Sequence, residues 1–347
     1  MVRLKDIAAR AGVSVMTVSK ALRDARDISA PTKARVRAIT EQMGYMPDTL
    51  AQGLRNRRTR LFGLVIPTAT NPIFARVVMG IEERAHALGF DLIQAHSLNT
   101  PEREQSVVRR LISRRVDGLF IAPVYRLEPT APVYQELLRR QIPTVLLDHR
   151  APFCETFASV APDDLGASYL ATRHLLELGH RRIAFFNGPT PAPASRERLE
   201  GYRRALREAN LEVDDHLIFS AGSTIEEGEA AARQMLQESP HATAVQTVND
   251  MVAIGAASVF LNHGLRIPAD LSVAGFGNIL TAEYFRVPLT TVRQPKLRLG
   301  HAAMELMVQL LEGQRPEPKR LPAELIIRQS TAPPGKPSPE EWQDDGP

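Results

Sequence analysis

Within the first forty-five residues the apolar positions fall three and four apart, the spacing of one helix face. Leu4, Ile7, Ala8 and Ala11 share such a face over 4–11. Gly12 follows, where a left-handed backbone is least strained, and Ser14 is placed to cap a second helix over 15–22. Two short helices joined by a three-to-four-residue turn containing glycine form a helix-turn-helix pattern. The small Ala8 and Ala11 let the two helices pack closely. Ser29 is placed to cap a third helix over 30–43, with Pro31 tolerated in its first turn and Val36 and Ile39 completing a small core.

From Leu61 the texture changes to short apolar runs alternating with amphipathic stretches. The runs predict strands over 61–66, 90–95, 118–122, 143–147, 182–187, 243–248 and 271–276, with helices such as 73–88, 102–114, 164–178 and 196–209 between them. Such alternation builds parallel sheets with right-handed crossovers. About 270 residues of it imply two α/β halves rather than one sheet, with ligands at the carboxyl ends of the strands. The segment 332–347, rich in proline and acidic residues, reads as a disordered tail.

Charge divides the chain in the same place. Residues 1–60 carry 13 Lys/Arg and 5 Asp/Glu, a balance of +8, whereas the remainder carries 30 and 34, a balance of −4. A basic head on a slightly acidic body points the head at a polyanion. No apolar run approaches the roughly 18 residues of a membrane span, and the start lacks a secretory apolar stretch. The single cysteine, Cys154, fits a reducing cytoplasm. Enzyme motifs are missing: there is no Gly-Lys-Ser/Thr phosphate loop, His-Glu-x-x-His or Gly-x-Ser-x-Gly, and no cofactor motif. His174 and His180 share one helix end with no third metal ligand, and are read as surface histidines.

Ala11-Gly12-Val13-Ser14, Thr17-Val18-Ser19, Gly44-Tyr45 and Pro47 resemble, in order and spacing, the reading head of the LacI/GalR family of bacterial transcription regulators. The resemblance continues through Asn71-Pro72, Arg115-Val116-Asp117-Gly118, the run from Leu178 to Ala184, Asn249-Asp250, Gly275-Phe276 and Pro288-Leu289-Thr290-Thr291-Val292 with Gln294. It implies an all-α helix-turn-helix domain over 1–47, a hinge and linker over 48–60, and a periplasmic-binding-protein-like body of two Rossmann-like lobes over 61–331. The chain is expected to cross between those lobes near 160, 290 and 320. It further implies a cytoplasmic, homodimeric regulator, a repressor in the leading reading, that binds a pseudo-palindromic DNA operator under control of a small polar effector.

In that reading helix 15–22 enters the major groove. Val15, Met16 and Lys20 stand at base-reading positions, Lys20 able to donate to guanine and the other two offering only apolar contact. Thr17, Ser19 and Thr32 carry hydroxyls suited to phosphates. Ser14, Arg23 and Tyr45 complete the implied DNA-facing set in the head. Asp48 would cap a hinge segment over 49–55 that becomes helical on DNA, where Leu54 matches the residue that wedges into the minor groove; Gly53 departs from relatives and weakens that helix.

For the effector, the resemblance carries over Asn71, Phe74, Asp148, Asp163, Arg196, Asn249, Asp250 and Phe276, with Arg196 and Asp250 foremost. Relatives commonly have Asp after the Gly-Phe pair; here Gly277 and then Asn278 follow. The effector therefore stays open between a sugar or sugar derivative, a purine acting as corepressor, and another polar metabolite. A small-molecule receptor without a DNA role is the second reading of the whole chain.

Overall fold

A computed structural model describes residues 2–45, 59–238 and 241–335, which form two compact units parting between Thr59 and Arg60. The first contains α1 (Leu4–Ala11), α2 (Val15–Leu22) and α3 (Ala30–Gln42). Ile7, Ala8 and Ala11 of α1, Val18 and Ala21 of α2 and Val36 of α3 bury one another, with Ile39 and Tyr45 packed at the margin. Gly12 closes α1 at φ 65°, and the Thr17 amide donates to Ser14 Oγ at 3.1 Å to start α2. Ser29 stands at the N-cap of α3, but its hydroxyl receives no backbone N–H and meets that of Thr32 at 2.9 Å instead.

The second unit is built on two six-stranded sheets. The first sheet joins β1 (Leu61–Ile66), β2 (Asp91–His96), β3 (Gly118–Ile121), β4 (Thr144–Leu147), β5 (Ala158–Pro162) and β11 (Lys319–Leu321) in the order β11-β5-β4-β3-β1-β2, all parallel. The second joins β6 (Ile183–Asn187), β7 (Ile218–Ser220), β8 (Ala244–Thr247), β9 (Ser272–Phe276), β10 (Thr290–Arg293) and β12 (Glu324–Ile326) in the order β12-β10-β9-β8-β6-β7, antiparallel only between β10 and β12. Helices α4 (Pro72–Ala87), α5 (Pro101–Ser113), α6 (Pro132–Arg139) and α12 (Lys296–Leu311) cover the first sheet. Helices α7 (Asp164–Glu177), α8 (Pro193–Glu208), α9 (Ile225–Glu238), α10 (Asp250–Asn262) and α11 (Leu280–Tyr284) cover the second. Central strands sandwiched this way read as continuous apolar runs, as in the buried Phe62–Ile66 stretch.

The chain passes between the lobes three times, at 162–164, 293–296 and 321–324. These crossings are bonded to one another. The Asp163 amide donates to the Leu321 carbonyl at 2.9 Å, and Gln294 Nε2 reaches Asp164 Oδ1 at 3.5 Å.

The apolar pattern predicts seven strands where the described residues form twelve. Of the five it misses, β7, β11 and β12 have only three residues each and carry no readable period, and β5 and β10 are short runs interrupted by polar residues. His174 and His180 are not surface residues. His180 is 1% exposed; its Nδ1 meets Thr243 Oγ1 at 3.0 Å and its Nε2 meets the Ala332 carbonyl at 2.9 Å, while His174 Nε2 meets Thr331 Oγ1 at 3.0 Å. Burial holds both rings below the usual histidine pKa. The two rings fasten 331–332 onto the second lobe, so Ala332 is bonded into the body; 336–347 lie outside the described residues.

Candidate DNA-reading helix and ligand cleft

Helix α2 turns Val18 and Ala21 inward, which leaves 15, 16, 19 and 20 on its outer side. Val15 and Met16 are 46% and 55% exposed, an apolar pair left open by the described residues. Lys20 Nζ lies 2.5 Å from Asp27 Oδ2 on the surface, so a guanine contact would exchange a screened ion pair for hydrogen bonds to the neutral O6 and N7 acceptors. Thr17 and Thr32 have their hydroxyls on Ser14 and Ser29. The Ser19 carbonyl accepts from Arg23 Nε at 3.1 Å, and the Arg23 side chain is exposed. Tyr45 packs against the head's own core. Leu54 and Gly53 lie outside the described residues.

In the body, a cavity of about 480 Å³ opens between the lobes at the carboxyl ends of the strands, the edge where parallel sheets bind ligands. The first lobe supplies the turn after β1 with Thr68, Thr70 and Asn71, the segment after β3 with Tyr125, and Asp148 and His149 after β4. The second supplies the start of α8 with Ser195 and Arg198, the 222–226 turn, and Asn249, Asp250 and Phe276. Ile73, Phe74, Val248 and Ile279 add apolar wall. A mixture of amides, hydroxyls and carboxylates over an apolar floor suits a small polar ligand.

The polar groups are held firmly. Asn71 and Asn249 each cap a helix through Oδ1, receiving the Ile73 amide at 3.1 Å and the Val252 amide at 2.8 Å; Asn249 Nδ2 also donates to the Ser223 carbonyl. Arg198 donates from Nε and Nη2 to Asp164 Oδ1 at 3.1 and 2.9 Å and from Nη1 to the Val248 carbonyl at 2.7 Å. Its guanidinium carbon sits 3.9 Å from the centre of the Phe276 ring. Burial pushes the Asp164 carboxyl up to about 7, with Arg198 pulling the other way. Asp250 receives the Ile279 amide at 2.9 Å and the Thr291 hydroxyl at 2.5 Å, and burial raises its pKa. Burial works against ionised Asp148 too, but His149 and Arg198 beside it hold its carboxyl below the usual range. Its backbone, at φ 76°, lies in the left-handed region that aspartate tolerates better than most residues.

Six of the eight ligand candidates named above line this cavity: Asn71, Phe74, Asp148, Asn249, Asp250 and Phe276. Asp163 and Arg196 do not. Asp163 is the N-cap of α7, its Oδ1 receiving the Gly166 amide at 3.1 Å, and so belongs to the crossing. Arg196 is exposed, because two residues along a helix are about 200° around it and Arg198 is the one in phase with buried Ser195 and Tyr202. Asp250 lines the cavity with both oxygens already engaged, so its first duty is to fix the 276–279 turn.

Sequence reasoning named Arg196 where Arg198 lines the cavity, and it also missed Tyr125. Fully buried Glu104 on α5 accepts from the Val124 amide at 2.7 Å, from the Tyr134 hydroxyl at 2.8 Å and from the Arg126 guanidinium. Both neighbours of Tyr125 are thereby clamped, and its ring is presented to the cleft. Burial, with Glu227 and Asp148 nearby, raises the Tyr125 pKa, so its hydroxyl keeps its proton.

Comparison with known proteins agrees with this division. Residues 3–48 match the family model for bacterial regulatory proteins of the lacI family, and 172–331 match a periplasmic binding protein-like domain. The chain is 32% identical over 339 residues to the HTH-type transcriptional repressor PurR of Photobacterium profundum, covering 95% of this chain and 98% of that one. Among solved structures, a lac repressor dimer bound to operator and the anti-inducer ONPF matches with TM-score 0.87 at 29% identity, covering 95% and 99%. A complex of the transcriptional regulator CelR with cellobiose matches with TM-score 0.74 at 30% identity, covering 95% and 100%. The chain belongs to the lacI family of bacterial regulatory proteins and is a DNA-binding regulator of transcription with a small-molecule effector.

Proposed function

We propose that this regulator is a cytoplasmic repressor that binds a two-fold operator as a dimer and is switched by a neutral saccharide. The observation that carries the ligand class is the charge of the cleft. Arg198 is the one Arg or Lys among the described residues lining it, and all three of its nitrogens already serve Asp164 and Val248. Asp148 and Glu226 add negative charge that no second Arg or Lys among those lining residues answers. An anionic metabolite would face those carboxylates, whereas sugar hydroxyls donate to them well. The bound cellobiose of CelR and the operator-bound lac repressor dimer support the same reading. So do Leu280 and Tyr284 on α11, at 75% and 76% exposed an apolar pair open to a second copy. A two-fold protein then reads a two-fold site.

The test is thermal unfolding of the full chain against neutral mono- and disaccharides, sugar phosphates and purines, followed by gel retardation of DNA from its own upstream region with each hit. A neutral sugar at 100 times its Kd adds about 2.7 kcal/mol of stability. It should also change retardation, while the corresponding sugar phosphate does neither. Stabilisation by purines alone would replace the saccharide with a purine corepressor.

A further inference from the structure

The strand-start edge of the first lobe, opposite the cleft, carries a concentration of arginine. Crossover helices return to that edge, and there α5 and α6 both end. Arg109, Arg110, Arg114 and Arg115 lie in the last turn of α5 and just beyond it, and Arg139 and Arg140 end α6. All six are exposed. Glu136 ties the two helix ends together, accepting from Arg109 at 3.0 Å and from Arg140 at 2.9 Å. Among the described residues, the side chains of Arg110, Arg114 and Arg139 meet no carboxylate.

The chain enters the body at this same corner. The Arg60 amide donates to Asp117 Oδ2 at 2.8 Å, and its carbonyl accepts from the Asp91 amide at 2.9 Å. With Arg60 the corner holds seven arginines against Asp91, Asp117 and Glu136. That is locally basic on a body whose balance beyond residue 60 is −4. One cation suffices to meet each helix's negative end, so the helix dipoles do not account for six.

We infer that this corner is a second DNA-contacting surface, which grips the phosphates of duplex flanking the operator without reading sequence. The positive charges of these arginines attract backbone phosphates whatever the base sequence. The partner follows from connectivity. The segment that carries the reading head joins the body at Arg60, and the stretch from Tyr45 to Thr59 spans at most about 50 Å. A head on its operator therefore keeps duplex within reach of these arginines at high effective concentration.

The experiment is the salt dependence of binding of the full chain to a duplex of about 60 base pairs and arbitrary sequence, between about 0.05 and 0.2 M potassium chloride. The variants are the triple change Arg110→Gln, Arg114→Gln, Arg139→Gln and its charge-keeping counterpart with Lys at all three positions. None of these residues lies in the reading head or the cleft. Each lost phosphate contact lowers the slope of log K against log salt by about 0.9. The glutamine variant is expected to lose at least about two from the slope, with a ceiling of about 5.4 for the six substituted positions of a dimer, and at least about tenfold in affinity at low salt. The lysine variant should stay close to the parent, and both should keep its unfolding midpoint. An unchanged slope in the glutamine variant overturns the proposal. So does an equal loss in the lysine variant with its midpoint intact, because phosphate attraction needs charge rather than guanidinium.

Discussion

Asp164 and Arg198 show how a single residue couples stability to the ligand site. Asp164 is buried and its carboxyl is pushed up to about 7 from an ordinary 3.8. Between those values the folded chain holds a proton that the unfolded chain has released, so stability falls as pH rises through this window and is level above it. Asp164→Asn cannot titrate. The difference in denaturant midpoint between variant and parent should therefore drift in the variant's favour from about pH 4 to about pH 7 and then stop changing, whatever constant offset the unpaired Arg198 adds. A difference that stays flat across that range would mean the Asp164 carboxylate is ionised throughout. The residues around this pair were legible in sequence by kind but not by phase. Ser195-Arg196-Glu197-Arg198 offers two arginines, and only the helical register shared with Tyr202 separates the buried one from the exposed one. Asp163 and Asp164 pose the same problem at a helix start, where the first caps and the second turns inward. Tyr125 gave no motif; its one signal was a lone aromatic just past the end of the strand predicted over 118–122.

Helices and strands were legible where they carry a period and hidden where burial erases one. Helix α10 reads Asp-Met-Val-Ala-Ile-Gly-Ala-Ala-Ser-Val-Phe-Leu-Asn, with eight of its residues buried, so no polar stripe marks it. The packing of α4 on α12 was equally silent, since it depends on two glycines. A methyl on Gly80 would stand 2.5 Å from the Leu297 carbonyl oxygen, and one on Gly300 would stand 2.3 Å from the Val77 carbonyl oxygen. Both obstacles are backbone and cannot rotate away. Gly300→Ala should therefore push the helices apart and cost about 1–3 kcal/mol, outweighing the gain of up to about 1 kcal/mol that alanine brings to a helix interior. Urea unfolding measures it, and a neutral or stabilising result would show that the two helices yield more easily than their contact suggests.

At the scale of the molecule, three mutually bonded crossings join the lobes, and we propose that they act as a hinge whose closure is set by contacts across the lobes. Ile73, in the first turn of α4, packs against the second lobe's core. Lys296, at the start of α12, reaches across to the carbonyls of Gly277 and Asn278 at 2.5 and 2.9 Å. Burial holds its pKa below the usual lysine value, yet the ammonium is the donor those two carbonyls receive. A ligand touching both lobes selects the closed form, and its apparent Kd is the intrinsic one divided by the fraction already closed. Contacts present only on closure therefore act on affinity without touching ligand. Lys296→Met keeps the stem and removes the donor. If the two bonds together favour closure by about 1.4 kcal/mol, the variant binds the same ligand about tenfold more weakly. Its radius of gyration without ligand, from solution scattering, should also exceed that of the parent, and saturating ligand should restore it. Because coupling is reciprocal, the ligand's effect on DNA retention should need correspondingly higher ligand concentration. An unchanged ligand Kd would remove Lys296 from the closing contacts and leave Ile73 as the contact that decides them.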